Sequence, residues 1–430
     1  MPNEPRRRRG RAASLIGLLL ALLVVALVVP TSGYSGSSSI AQNSELEVFS
    51  WWTGGGEAAG LTKVIAIWKK QNPSIKFVNS AVAGGAGTNA RAVLAQRLSA
   101  NDPPDSFQGH AGSELQDYIK AGDLEPINFL YKQAGFGKAM PQQLINQITY
   151  KGKLYSVPVN IHRANVLWYN PSVLRQAGIS GAPKTWAQFI AALKKADDAG
   201  VIPLVVGEQW TNMHLFETIL LSTVGQRTYN SLWKGKASWS SPGVRTAVNR
   251  YAQVLEYTNS DAASLTWQEA SKLMVDGKAA FNIMGDWANG YFTELKKKPK
   301  VHYGWAPVPG TTGVYQWLSD SFTLPKGAPN RSAALKWLTL LGSKKAQDAF
   351  NPVKGSIPAR KDANVKLYNT YLKSALRDWK TNKLAGSLTH GVVAGNAWKT
   401  AIDTALGQFL QSHNTAKYQA ALAAAAKKYR

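Results

Sequence analysis

Apolar and polar positions alternate from Glu45 to Ser50, with Leu46 and Val48 on one face, which predicts a strand. Leu61, Val64, Ile65 and Trp68 then recur at helical spacing, so a helix is expected to begin near Gly60 and to stop at Asn72-Pro73. The same succession returns twice. Lys76 to Ser80 predicts a second strand, the glycine-rich run Gly84 to Gly87 a loop, and Asn89 to Ala100 a helix with Val93, Leu94 and Leu98 inward. Asp102-Pro103-Pro104-Asp105 breaks the chain. Ser106 to Gln108 then predicts a third strand with Gln108-Gly109-His110 as its exit loop, and Ser113 to Lys120 a helix. Three strand–loop–helix units in succession predict a doubly wound α/β lobe.

Beyond Tyr150 the pattern changes. Tyr150–Asn160 and Val166–Asn170 are β-rich and flank His162-Arg163-Ala164, where the chain is expected to enter a second, mostly helical lobe. Thr185 and Gln188 form a capping box before the buried face Trp186, Phe189, Ile190 and Leu193. Trp267 opens another helical stretch. Lys278 to Ile283 predicts a buried strand that empties into Gly285-Asp286-Trp287. Tyr303–Pro309 and Leu318–Pro325 are extended, Asn330–Leu341 helical, and Asn351–Ser356 a turn-rich crossing. Ala420–Ala426 is a strong helix former.

The first strand runs into Trp51-Trp52-Thr53-Gly54-Gly55-Gly56-Glu57. Adjacent side chains of an extended chain point to opposite faces, so the two tryptophans cannot share one environment. A loop at the carboxyl end of a strand in an open α/β sheet is a usual ligand position, and this one offers a flat apolar platform beside a carboxylate.

Composition narrows the classes. The 430 residues are 45% hydrophobic, enough for two domains. The absence of cysteine excludes disulfides and thiolate metal sites. Five arginines among the first eleven residues precede an uncharged apolar run from Ala12 to Val29, followed by Pro30 and a Gly/Ser-rich stretch. This is the layout of a signal peptide and linker over residues 1–41; an uncleaved membrane anchor is the alternative. The body is expected to be exported, in the periplasm or at the outer face of the cytoplasmic membrane. The net charge is +25; residues 1–44 hold five Arg and one Glu, which leaves +21 on the remainder. The basic residues are dispersed, with Lys296–Lys298 the densest internal run, so a solvated basic surface is expected rather than a nucleic-acid partner.

Catalytic signatures are missing. The six histidines show no His-Glu-x-x-His pattern, no Gly-x-Ser-x-Gly elbow occurs, and Leu61 stands where a phosphate loop needs lysine. A glycosidase needs two flanking carboxylates; Glu57 and Asp320 are the acidic residues placed near aromatic loops. No catalytic residue, cofactor or metal is therefore expected. What stands out is binding: fifteen tryptophans, several at strand or loop ends beside Asn, Gln, Asp or His. Aromatic faces cover the C–H faces of a sugar while planar polar groups take its hydroxyls.

Tyr150–Pro158 and Leu167–Asn170 resemble the carbohydrate-binding proteins of ABC importers, the large extracellular solute-binding family. Phe49–Glu57, Val82–Gly87, Asp102–Asp105, Phe107–Gly112, Pro158–Arg163, Gly285–Trp287, Leu318–Ser321 and Ser387–Gly391 are similar, in order, to its glucose-binding members. The resemblance implies a two-lobed α/β fold with three hinge crossings, near Val157–Asn160, Pro307–Pro309 and Asn351–Ser356. The lobes would be 45–157 plus 308–355 and 158–307 plus 356–430. It also implies a monomer that captures a monosaccharide, glucose or a close epimer, for a membrane-embedded permease. By match of motif, Trp51, Trp52 and Glu57 come from the first loop, Gln108 and His110 from the second, and Trp267 and Trp287 from the other lobe. Asp320, Lys354 and His390 complete the set. Read from the residues alone, Trp267 fits a helix face, Asp320 a turn cap, Lys354 a solvated loop and His390 a structural histidine.

Overall fold

The computed structural model describes residues 45–430. The signal peptide and linker expected over 1–41 lie outside the described residues. The three predicted strand–helix units form, and their strands pair in parallel. Glu45–Ser50 lies between Lys76–Ala81 and Ser106–His110. Asp320–Thr323 joins antiparallel beside Ser106–His110, and Ser156–Pro158 closes the edge, giving five strands. A second sheet orders Gly304–Pro307, Val166–Tyr169, Ala279–Ile283 and Ile202–Val205. A third joins Ile357–Pro358, Asn160–Arg163, Val314–Leu318 and Lys383–Gly386.

The third sheet gathers strands separated by more than two hundred residues, and the chain passes between it and the five-stranded sheet. One passage is at Pro158–Asn160 and another at Leu318–Asp320. A further one leads from the helix Lys344–Lys354 into Ile357–Pro358. Gly304–Pro307 pairs with Val166–Tyr169, so it belongs to the second sheet.

Several local expectations shift. The first helix is Gly55–Gln71, so Glu57 stands in its first turn rather than in a preceding loop. A carboxylate there faces the positive end of the helix dipole. The third strand extends to His110. On the helix Thr88–Ser99 the buried positions are Ala90 and Leu94, while Val93 is exposed. The stretch around Pro352 is helical, with Pro352 in the last turn and Gly355 at φ +87° as its left-handed end. Lys354 is thus a buried helical residue, not a solvated one. The capping box of Thr185 and Gln188 forms as expected, and Thr266 with Glu269 makes another in front of Trp267.

Three helices meet closely behind the cleft: Gly55–Gln71, Trp287–Glu294 and Lys344–Lys354. A Cβ on Gly290 would stand 2.4 Å from the Lys354 carbonyl oxygen, so only glycine permits the approach.

Asp105 ties the first sheet to the chain that packs on it. Its buried carboxylate accepts from the Glu47 amide at 2.7 Å, from the Asn330 amide and from Asn330 Nδ2 at 3.0 Å. Asp105→Ala leaves these donors unsatisfied and is expected to lower the unfolding free energy by about 2–3 kcal/mol. Asp105→Asn, which keeps one acceptor, should lose less. Urea unfolding of both variants checks this, and an alanine variant as stable as the parent would refute the tie.

Candidate ligand-binding cleft

Strand ends and helix starts converge on a cavity of about 420 Å³. Trp51 follows the first strand, and its amide donates to Gln108 Oε1 at 3.2 Å. Its indole lies against His110, with ring centroids 5.0 Å apart. Gly87 carries φ +87°, and a Cβ there would sit 2.7 Å from the Trp51 ring. The glycine-rich loop is therefore shaped to lie on that tryptophan. Across the cavity Trp267 and Trp287 begin their helices, edge to face at 6.5 Å. His390 packs on Trp287 at 5.0 Å and on His110 at 5.4 Å, so the two sides of the wall meet through imidazoles.

The polar centre is Asp320. Gln108 Nε2 donates to its Oδ1 at 2.9 Å, and Asn160 Nδ2 donates to Oδ2 at 2.6 Å. Asn160 Oδ1 in turn accepts from the Asp320 amide at 2.8 Å. The ring nitrogens Nε2 of His162 and His110 stand 3.5 and 3.7 Å from its oxygens. Burial by itself would raise the Asp320 carboxyl, but His162 and the charges of Lys354 and His110 overcome it and hold the group well below the usual carboxylate range. Behind His162 lies Asp286, hydrogen-bonded to its Nδ1. Burial and Lys354 act to lower the His162 pKa, yet Asp286 and Asp320 together raise it.

Lys354 Nζ donates to Glu57 Oε1 at 2.8 Å and lies 5.9 Å from the Trp52 ring centroid. The pair places a cation and an anion side by side on the cavity wall.

Eight of the ten candidate residues line this cavity: Trp51, Glu57, His110, Trp267, Trp287, Asp320, Lys354 and His390. Trp52 does not. It is 1% exposed and packs on Phe322 and Phe350 at 5.4 and 4.8 Å, so the platform expected of it is a core contact beneath Lys354. Gln108 stands behind the wall and acts through Trp51 and Asp320.

Sequence reasoning missed Trp210, which shares the wall and donates its indole N–H to Glu208 Oε1 at 2.8 Å. The signal was present: Gly207-Glu208-Gln209-Trp210 follows the strand Ile202–Val205 much as Gly285-Asp286-Trp287 follows Ala279–Ile283. His162 was missed as well, although its motif was recognised.

A buried trio, His214, Glu217 and His390, has nitrogen and oxygen atoms within 4.8 Å of one another. Glu217 is spent on the loop carrying His390. It accepts from Ser387 Oγ at 2.8 Å and from the amides of Leu388 and Thr389. Burial pushes it up to about 7 despite these donors. Glu217 holds the His390 loop in place.

Among the described residues no helix is long and apolar enough to cross a membrane. The chain is 36% identical over 426 residues to an uncharacterised ABC transporter extracellular-binding protein of Pyrococcus horikoshii, covering 96% of each chain. It is 33% identical over 400 residues to a probable sugar-binding periplasmic protein of Mesorhizobium japonicum, covering 91% of this chain and 95% of that one. Among solved structures, a bacterial solute receptor with an exclusive preference for β-D-galactopyranose superimposes with a TM-score of 0.78 at 20% identity. That match covers 90% of this chain and 98% of the other, and establishes a shared two-lobed fold. The model of the bacterial extracellular solute-binding protein family matches residues 45–348, and the chain belongs to that family.

Proposed function

We propose that this protein is the sugar receptor of an ABC importer, capturing a monosaccharide, glucose or a close epimer, and presenting it to a membrane permease. One observation carries the reading: the cavity sets tryptophan faces around an ionised carboxylate, oriented by Gln108 and Asn160, with a lysine and histidines beside it. Trp51, Trp210, Trp267 and Trp287 offer apolar faces to ring C–H groups. Asp320 accepts from a hydroxyl, while the ammonium of Lys354 donates to a neighbouring one. The name of the Mesorhizobium relative supports a sugar as the solute.

The arrangement favours binding over hydrolysis. A glycosidase needs a carboxylic acid and a carboxylate flanking one bond; His162, Lys354 and His110 hold Asp320 ionised, and Glu57 is committed to an ion pair with Lys354. The protein is then a carrier whose ligand stabilises a closed form that the permease reads. The proposed hinges between the lobes are the passages at Pro158–Asn160 and Lys354–Ile357 and, in place of the expected Pro307–Pro309, the one at Leu318–Asp320, where the chain changes sheet. The arginine-led apolar segment before residue 30 supports export to the periplasm or the outer membrane face, and the protein acts as a monomer without a cofactor.

Calorimetry with glucose, galactose and the deoxyglucoses tests the reading. Trp287→Ala should weaken glucose by about 1–3 kcal/mol, the range of aromatic ring stacking, whereas Trp52→Phe should change it little. Equal effects would remove the distinction between wall and core. Asp320→Asn should weaken glucose sharply, yet weaken much less the one deoxyglucose that lacks the hydroxyl it reads. Strictly additive losses at every deoxy position would show that Asp320 touches no hydroxyl. Saturating glucose should also shrink the radius of gyration in small-angle scattering, and an unchanged profile would refute closure.

A further inference from the structure

The positive surplus of the chain is concentrated. Residues 326–383 hold thirteen Lys and Arg against Asp348, Asp362 and Asp378, which leaves +10, close to half of the +21 on the body. All three aspartates are already paired: Asp348 with Lys344, Asp362 with Arg360 and Asp378 with Arg163. Lys361, Lys366 and Lys373 are exposed and form no ion pair among the described residues.

The segment 359–369 is pinned across this flank. Arg360 Nη1 donates to the Gly342 carbonyl at 2.9 Å, and the Asn364 amide to Asp348 Oδ1 at 2.9 Å. Asn369 Nδ2 donates to Asn289 Oδ1 at 2.8 Å. Between the last two anchors the turn Val365–Leu367 leaves Val365 and Leu367 54% and 49% exposed. Asn289 also donates to the Tyr303 hydroxyl at 2.7 Å, where a second loop ends. That loop carries Lys296, Lys298 and Lys300, all exposed and without an ion pair, and Val301 at 61% exposure. Lys296 and Lys300 occupy left-handed backbone at φ +58° and +66°, which lysine rarely adopts. Val301 and Leu367 each stand two residues, about 7 Å of chain, from an anchor on the one Asn289 side chain, so the two loops emerge side by side. Three of the six large hydrophobic side chains exposed among the described residues thus gather beside six unpaired lysines.

We propose that this flank is a membrane-contact face for an anionic bilayer. Its lysines meet lipid phosphates, and Val301, Val365 and Leu367 enter the boundary between headgroups and acyl chains. Lysines alone suit any polyanion. The apolar tips select lipid, because a soluble polyanion offers them no apolar phase to enter. The contact would hold the receptor at the surface in which a permease is embedded, and it does not depend on which sugar the cleft takes.

The chain has no cysteine, so Thr370→Cys, at an exposed position beside the turn, takes a single polarity-sensitive fluorophore. The full chain is mixed with vesicles of phosphatidylcholine, or of equal phosphatidylcholine and phosphatidylglycerol. Emission should shift to the blue with the anionic vesicles alone, and high salt should reverse the shift. A label at Ser180→Cys, on the loop before the helix Trp186–Asp198, should not respond. Val365→Ser with Leu367→Ser, and separately Lys361→Glu with Lys366→Glu, should each cut the Thr370 shift at least fivefold while thermal unfolding stays unchanged. Absence of a shift with anionic vesicles overturns the inference. A serine pair that shifts like the parent, beside a glutamate pair that does not, leaves a soluble polyanion as the partner and overturns it as well. An equal response from the Ser180 label, or an equal loss in Lys194→Glu with Lys195→Glu, would show attraction by net charge alone and also overturn it. Failure to bind glucose would overturn the sugar reading and spare this face.

Discussion

The buried carboxylate of Asp320 is the constraint on which the site and the passage between sheets both depend. It stands where the chain leaves the third sheet and enters the five-stranded one. An ionised carboxylate in such a place is costly unless its oxygens are satisfied. Gln108 and Asn160 satisfy them from two other strands, with His162 and His110 close by. Gln108 also fixes the Trp51 amide, and His162 reaches Asp286 one residue before Trp287. The carboxylate proposed to read the ligand is thereby held in one orientation, and so are the aromatic faces on either side.

A second layer lies beneath the wall. The close approach at Gly290 brings the end of the Lys344–Lys354 helix against Trp287–Glu294 and Gly55–Gln71. Lys354 and Glu57 are brought together from positions 297 residues apart. Trp52 supports that ion pair from below with its ring, while Trp51 faces the cavity. The division matters for function. Residues in the wall face the cavity, whereas Trp52 and Gln108 determine where those residues stand. The same logic applies to Glu217, whose carboxylate holds the loop that carries both His390 and Thr389.

Local features were legible in the sequence because they depend on neighbours a few residues away. The alternation at Glu45–Ser50, the helical spacing after it, and the capping residue Thr185 all formed as expected. The motifs shared with the sugar-binding family located most of the wall, including Trp267, Trp287 and Asp320. Tertiary structure decided the rest. Which of two adjacent tryptophans faces the cavity depends on Gln108 taking one amide and on Phe322 and Phe350 receiving the other ring. Lys354 is buried because a helix continues through Pro352, and its contacts lie on other helices. The third sheet assembles strands from Asn160 to Gly386 whose pairing no local periodicity encodes. Periodicity tells which face of an element is apolar; it does not tell which distant element that face will meet, and the cleft is made entirely of such meetings.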